Sequence, residues 1–352
     1  MRTSYREEDV TVLLKDITGL VEPQPAKIRE ALIQSGTHYC EMLPLEYRPG
    51  EKYFELYREA LKNYAGETAD AAAIAAEKIK NTKSNEIVLV SLARAGTPVG
   101  ILMKRYLNRK YPELPVFHYT ISIIRGRGID HNAMKYILKR HPAESLCFVD
   151  GWTGKGAILT TLKKELSAYE GVSDELAVLA DPAHITKLYG TRDDFLIPSS
   201  CLNSTVSGLM SRTFLRSDII GPDDFHGAAY YGELADEDLS YEFIDTVMEH
   251  MNFEKNFDIS GIEDNQTTGM EEVKKIKEVF NISDINFIKP GIGETTRVLL
   301  RRIPWKILVN DMNDEKYLAH IFRLAKEKDI PVEQYPMKCY RACGIIKDMA
   351  DT

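Results

Sequence analysis

The sequence predicts an α/β protein: a parallel, helix-covered sheet with an N-terminal helical extension and a second, small α/β domain behind it. Three observations carry that expectation. Between about residues 85 and 180, short aliphatic and β-branched runs alternate with stretches of helical period. An alanine-rich segment precedes this alternation. After a turn-rich stretch at 261–269 the alternation resumes over fewer residues.

Taken in order, residues 1–50 carry short apolar runs broken by Pro23, Pro25, Pro44 and Pro49, a lead-in that packs on the next domain. Helices are expected at 51–64 and 68–80, the second rich in alanine. The strands 87–91, 116–122, 145–149 and 176–180 alternate with helices at 97–109, 132–140 and 155–169. Crossovers of that length require a parallel sheet. Residues 190–235 are rich in Gly, Ser, Asp and Tyr and carry no clear period, and a helix is expected near 241–252. Strands are expected at 284–288, 306–310 and 331–335, with helices at 294–302, 314–328 and 338–347. The implied domains are an N-terminal extension (1–84), a core (85–235), a helical linker (236–277) and a C-terminal domain (278–352).

The chain has 352 residues, with 44 % hydrophobic and 28 % charged, the composition of an ordinary globular protein. No 18-residue apolar segment is present, so no membrane span or membrane partner is expected. The start lacks the apolar stretch of a signal peptide. Five scattered cysteines suit reduced thiols in the cytoplasm. The net charge of −8 argues against whole-molecule attraction to nucleic acid. Residues 281–352 are the exception, with 12 Lys/Arg against 10 Asp/Glu, so an RNA-binding surface belongs at the C-terminal end.

Three loops fall at the carboxyl ends of successive parallel strands, and hence at one edge of the sheet. Ser91-Leu-Ala-Arg-Ala-Gly96 combines small residues, which permit close backbone approach, with Arg94. Ser122-Ile-Ile-Arg-Gly-Arg-Gly128 places Arg125 and Arg127 on a glycine-spaced cationic cover. Asp150-Gly-Trp-Thr-Gly-Lys-Gly156 enters a helix, and its exposed amides suit a phosphate while Asp150 suits hydroxyls or a metal. Trp152 would wall the site or pack a neighbouring helix. The spacing is not that of a nucleotide-triphosphate loop.

On these strings residues 85–200 resemble the type I phosphoribosyltransferase fold. The resemblance implies a phosphoribosyltransferase-like core that uses phosphoribosyl pyrophosphate and Mg²⁺ with a nucleobase-like acceptor. Ser91, Arg94, Ala95 and Gly96 would contact the pyrophosphate, and Thr153, Gly154, Lys155 and Gly156 would cradle the 5′-phosphate. Asp150 would hold the ribose and, through it or through water, the metal; Arg94, Arg125 and Arg127 would stabilise the leaving group. Asp181 would orient the acceptor or simply start a turn. The sequence departs from that family in presenting Gly151 where a second acid is usual.

The whole chain resembles proteins of bacterial tellurium- and stress-response operons in which such a core precedes a Pelota- or L7Ae-like RNA-binding domain, some of them named cysteine protease StiP. His38-Tyr-Cys-Glu-Met-Leu-Pro44, Cys201-Leu-Asn-Ser-Thr-Val-Ser-Gly208 and Lys289-Pro-Gly-Ile-Gly-Glu-Thr-Thr-Arg-Val-Leu-Leu-Arg-Arg302 carry the resemblance. It implies structured RNA as a partner through Lys289, Gly291, Gly293, Arg297, Arg301 and Arg302; arginines at 301 and 302 also fit simple helix termination. A homodimer is a further expectation. Two other readings stand beside the transferase. One is a non-catalytic nucleotide or RNA sensor. The other is a cysteine protease using Cys40, which has His38 two residues away, or Cys201, for which His118, His184 and His226 are distant candidate bases. Cys339 and Cys343 fit thiols on one helix face better than a metal site.

Overall fold

The computed structural model describes residues 1–259 and 267–347. Short strands β1 (Thr11–Val12) and β2 (Lys15–Asp16) lead into helix α1 (Ala26–Gln34) and the long helix α2 (Glu51–Thr82). The core then runs β3 (Ile87–Leu92), α3 (Gly96–Lys110), β4 (Val116–Ile121), a hairpin of β5 (Ile123–Ile124) and β6 (Gly128–Ile129), and α4 (His131–Leu138). It continues with β7 (Leu146–Trp152), α5 (Ala157–Leu166), β8 (Leu176–Ala180), β9 (Leu188–Thr191), β10 (Gly227–Ala228) and α6 (Ser240–Glu249). A second unit comes next: α7 (Gly269–Val279), β11 (Ile288–Pro290), α8 (Ile292–Arg301), β12 (Pro304–Val309), α9 (Glu315–Glu327), β13 (Val332–Gln334) and β14 (Ala342–Ile346).

Strand β3 has no polar face because both of its faces are covered, and every one of its residues is buried. It lies inside a six-stranded sheet in the order β1-β4-β3-β7-β8-β9, parallel throughout. Parallel pairing puts the loops after β3, β4 and β7 at one edge, as the sequence requires. The second sheet has the order β11-β14-β12-β13 and is mixed, with β14 antiparallel to both neighbours. An α/β architecture with an N-terminal helical extension and a separate α/β unit is therefore present.

Three local expectations are corrected. The helices expected at 51–64 and 68–80 are one helix of 32 residues. Gly66 does not break it, because tertiary packing outweighs glycine's propensity cost of about 1 kcal/mol. Buried alanines at 69, 71–73, 75 and 76 let the helix lie close on the sheet. The helix expected at 338–347 is absent: Ala342–Ile346 is the central strand β14. Gly344 lies under α8 there, where an added Cβ would meet the Val298 Cβ at 3.2 Å. The strand expected at 284–288 begins only at Ile288, since 285–287 form a 3-10 turn capped by Asp284. Residues 261–266 of the expected turn-rich stretch lie outside the described residues.

The two units share a core. The first cluster of buried side chains continues from Phe195, Leu196 and Ile197 into Ile292, Leu299, Ile307 and Leu318. Asp194 fastens the junction, accepting from the backbone N–H groups of Ile292 at 2.9 Å and Arg341 at 2.9 Å.

Candidate active site

Cys40 stands on one turn of 3-10 helix, Tyr39–Glu41, whose N-cap is His38. The ring Nδ1 of His38 lies 3.0 Å from Cys40 Sγ. It also accepts from the Cys40 backbone N–H at 3.4 Å. In the tautomer that accepts from this amide the Nδ1 lone pair also faces the thiol, which places a base within reach of its proton. The sequence places this pair at i,i+2 in expectation of an extended segment; the turn brings the two groups together instead.

The neighbouring backbone explains how the pair is held. Arg212 Nη2 donates to the Tyr39 carbonyl at 2.8 Å, Leu215 N to the Cys40 carbonyl at 2.9 Å, and Arg216 Nη1 to the Glu41 carbonyl at 3.3 Å. The unperiodic segment around 212–216 therefore fixes the carbonyls on both sides of the nucleophile. Above them lies the β5–β6 hairpin. Arg125 N donates to Tyr39 Oη at 3.0 Å, and Arg127 pairs with Glu41 at 2.6 Å. Gly126, at φ +79°, passes His38 closely enough that a Cβ there would sit 3.7 Å from Nε2. Burial pushes the Cys40 thiol up from its ordinary value, while Arg127 and Arg212 draw it back.

Cys201 has a different setting. It is 1 % exposed within the main core, and burial pushes its thiol up to about 12. His118 Nε2 lies 2.8 Å from Ser91 Oγ, and His226 Nδ1 lies 2.9 Å from Ser122 Oγ, so both rings are engaged away from it. Cys147 and Cys339 are likewise raised to about 12 by burial. Cys343 lies in strand β14 and Cys339 just before it, so neither stands on a helix face.

The loop residues expected to form an anion site are partly brought together. A cavity of about 340 Å³ is lined by Ala95, Arg125, Asp150, Lys155, Lys289 and Arg297, with the Thr153–Gly156 turn forming another wall. Trp152 also lines it, under the Arg297 guanidinium, which stands 5.2 Å over the indole. Ser91 is buried on His118, Arg127 is turned to Glu41, and Arg94 donates to the Met210 carbonyl at 2.8 Å. Gly96 is a close approach, since a Cβ would fall 2.3 Å from the Val149 carbonyl oxygen. Thr153 donates to Asp181, and Lys155 Nζ donates to the carbonyls of Ile285 at 2.8 Å and Ile288 at 3.1 Å. Asp150 accepts from its own neighbour Gly151 at 2.8 Å, and burial lifts its carboxyl to about 6. Asp181 is fully buried; it accepts from Thr153, the N–H groups of Ile185 and Thr186, and Arg192, which makes it the staple of its turn. Among the described residues no group of three His, Cys, Asp or Glu side chains converges as for a metal.

In the second unit Arg297 donates to the Ser200 carbonyl at 3.2 Å, and Arg301 to Asn203 Oδ1 at 2.7 Å and the Cys201 carbonyl at 3.1 Å. Gly291 packs beside Asp194 and Gly293 beside Ser200. Four of the expected RNA-contacting residues thus face the first unit, while Arg302 is exposed and Lys289 half-buried.

Comparison with known proteins places this chain in a family. The family model described as tellurite-like stress resistance cysteine protease StiP matches residues 3–248, and the Pelota RNA-binding domain matches residues 267–348. The protein named cysteine protease StiP from Acinetobacter baylyi is 35 % identical, over 98 % of this chain and 94 % of its own length. A crystal structure of HGPRT-ase from Leishmania tarentolae in complex with GMP aligns with a TM-score of 0.26 and 16 % identity. That alignment covers 35 % of this chain and 68 % of that one, too loose a likeness to carry an argument. The matches overturn the expected identity as a phosphoribosyltransferase. The transferase activity, phosphoribosyl pyrophosphate, Mg²⁺ at Asp150 and the nucleobase-like acceptor fall with it. The side chains agree physically: Thr153 and Lys155 are engaged by protein groups, and Asp150 has Gly151 where a second acid would stand.

Proposed function

Because the chain belongs to the StiP family of tellurite-like stress resistance cysteine proteases, we propose that it is a thiol peptidase with Cys40 as nucleophile and His38 as general base. The observation that carries this reading is the 3.0 Å approach of His38 Nδ1 to Cys40 Sγ. The thiol proton passes to Nδ1 as sulfur attacks the peptide carbonyl. The imidazolium then returns that proton to the departing amine, leaving a thioester that water hydrolyses. With the thiol enclosed and raised by burial, the proton moves only as substrate enters, so the β5–β6 hairpin acts as a cover. Casein hydrolysis by the wild type and by Cys40→Ala tests the proposal. Loss of activity by at least about 10²-fold is expected, and undiminished activity in the variant would refute it.

We further propose that the Pelota unit binds structured RNA, with Lys289 and Arg302 contacting phosphate and Gly291, Gly293, Arg297 and Arg301 shaping the junction behind them. The boundaries 1–84, 85–235, 236–277 and 278–352 call for adjustment in this reading. Helix α6 packs into the first core together with Met251, and α7 packs with Ile288 and Leu308 of the second, so the expected linker divides between the two units. The loops gathered at one sheet edge support a phosphoribosyltransferase-like arrangement of strands and loops in the core, without that reaction. No described helix is long and apolar enough to cross a membrane. All five cysteines are free, which supports the reducing cytoplasm as the location. A homodimer would use the apolar residues Ile28, Leu32 and Ile33 exposed on α1, and sedimentation at micromolar concentration tests it.

A further inference from the structure

Beside the thiol lies a cluster of positive charge with no ion-pair partner among the described residues. Arg212, whose Nη2 holds the Tyr39 carbonyl, comes from the loop under the Cys40 turn. Arg29 comes from α1, and Arg94 from the loop after β3. Their charges act on one another: burial lowers Arg212 to about 10, and after burial the largest depressing influences are Arg29 and Arg94. The groups that most favour the Arg212 charge are the phenols of Tyr39 and Tyr231, whereas surface arginines of this chain such as Arg105, Arg216 and Arg323 sit against carboxylates. The Nε atoms of Arg29 and Arg212 are buried without a hydrogen-bond partner. Among the described residues, none of the three arginines forms an ion pair, and Arg94 and Arg212 donate to carbonyls. Three guanidinium groups in partial burial repel one another and retain unused donors. That arrangement is costly unless an anion enters.

The approach to the cluster is also basic. Arg29 opens on a groove of about 530 Å³ whose other charged walls are Arg48, Arg301, Arg302 and a single acid, Glu46. Arg48 is neutralised by Glu237 at 2.6 Å, whereas Arg29 has no ion-pair partner among the described residues. The groove has peptide-sized volume, and Pro44 and Leu45, four and five residues beyond Cys40, form part of its wall.

We propose that Arg29, Arg94 and Arg212 form a carboxylate-binding subsite beside Cys40, and that the peptides this site accepts carry an acidic group next to the bond that is cleaved. The substrate class rests on the peptidase reading above; the anion subsite does not. A planar carboxylate matches guanidinium donors in pairs. Its burial among three arginines removes their mutual repulsion, which favours acidic over neutral peptides.

Alkylation of Cys40 tests the subsite without any turnover. Iodoacetate and iodoacetamide are nearly equal in size; in both cases sulfur displaces iodide and the thiol proton leaves to His38 or solvent. The rate ratio of the charged to the neutral reagent, read by mass spectrometry on the Cys40 peptide and compared with free cysteine, cancels access. The ratio at Cys40 is expected to exceed that of free cysteine by about tenfold, and to fall towards it in Arg212→Gln and in Arg29→Gln. Arg29 lines an open groove, so its replacement serves if the first variant fails to fold. A wild-type ratio equal to that of free cysteine, or one unmoved by the variants, overturns the proposal. So does protection of Cys40 by an oligonucleotide and not by an acidic peptide.

A hydrolysis panel then separates the sources of the carboxylate. Preference for Asp or Glu over Asn or Gln in amidated peptides assigns the subsite to a side chain. Preference only for a free terminus assigns it to the chain end, and no preference for either overturns the substrate class. If Cys40→Ala leaves hydrolysis intact, the peptidase reading fails while the alkylation ratio still judges the arginines.

Discussion

At the scale of the residue, the proposed mechanism asks one histidine to do two things, to cap a turn and to receive a thiol proton. His38→Ala is expected to lower kcat by about 10² to 10⁴ while costing about 1 kcal/mol through the lost cap, and steady-state kinetics beside urea denaturation separate the two. Cys201→Ser is expected to behave oppositely: hydrolysis per folded molecule stays intact and stability drops by about 1–3 kcal/mol, because a hydroxyl replaces a thiol in an apolar core. The string His38-Tyr-Cys40 made the pair legible from sequence, as did the short range of the contact. Arg29 and Arg212 were not legible as functional. They lie far from Cys40 in sequence, one on an ordinary amphipathic helix and the other in a segment without period, and only the fold joins them.

At the scale of the element, the hairpin β5–β6 is the proposed cover of the thiol. The glycine-spaced arginines identified a cationic cover in the sequence, but what it covers is the thiol turn, through Arg125 and Arg127, as well as the cavity at the sheet edge. Glu41→Gln removes the partner of Arg127 and also a negative charge that raises the thiol. Both effects point the same way, so iodoacetamide should alkylate Cys40 about two- to tenfold faster in this variant at pH 8, since the exposed ion pair is worth under about 1 kcal/mol. The regular elements were legible wherever an aliphatic run was bounded by turns, as at 87–92 and 176–180. They were misread where tertiary packing overrode local preference: at Gly66, which stays helical, and at Ala342–Gly344, which helix α8 and strand β12 hold in one strand with Ile345 and Ile346.

At the scale of the whole molecule, Asp194 joins the two units and makes their docking sensitive to pH. Burial raises its carboxyl from 3.8 to about 6, against the N–H groups of Ile292 and Arg341 that favour the charge. A raised acid holds in the folded state a proton that the unfolded chain has released. Its contribution is therefore complete below about pH 4 and is lost as pH rises through 6. Between pH 4 and 7 the loss amounts to about 2 kcal/mol, so the stability of wild type relative to Asp194→Asn should fall by that amount over the interval in urea melts. The RNA binding proposed for the second unit belongs to this scale too. With a net charge of −8 the chain relies on local contacts, so Arg302→Ala should weaken binding of a structured RNA and reduce the slope of log K against log salt by about one, measured by fluorescence anisotropy.

The central claim, that Cys40 is the nucleophile of a peptidase, is tested most directly by labelling the intact protein with a peptidyl acyloxymethyl ketone and mapping the adduct by mass spectrometry. The account predicts a single thioether on Cys40 that disappears in His38→Ala. An adduct on Cys201 instead, or equal labelling with and without His38, would contradict it.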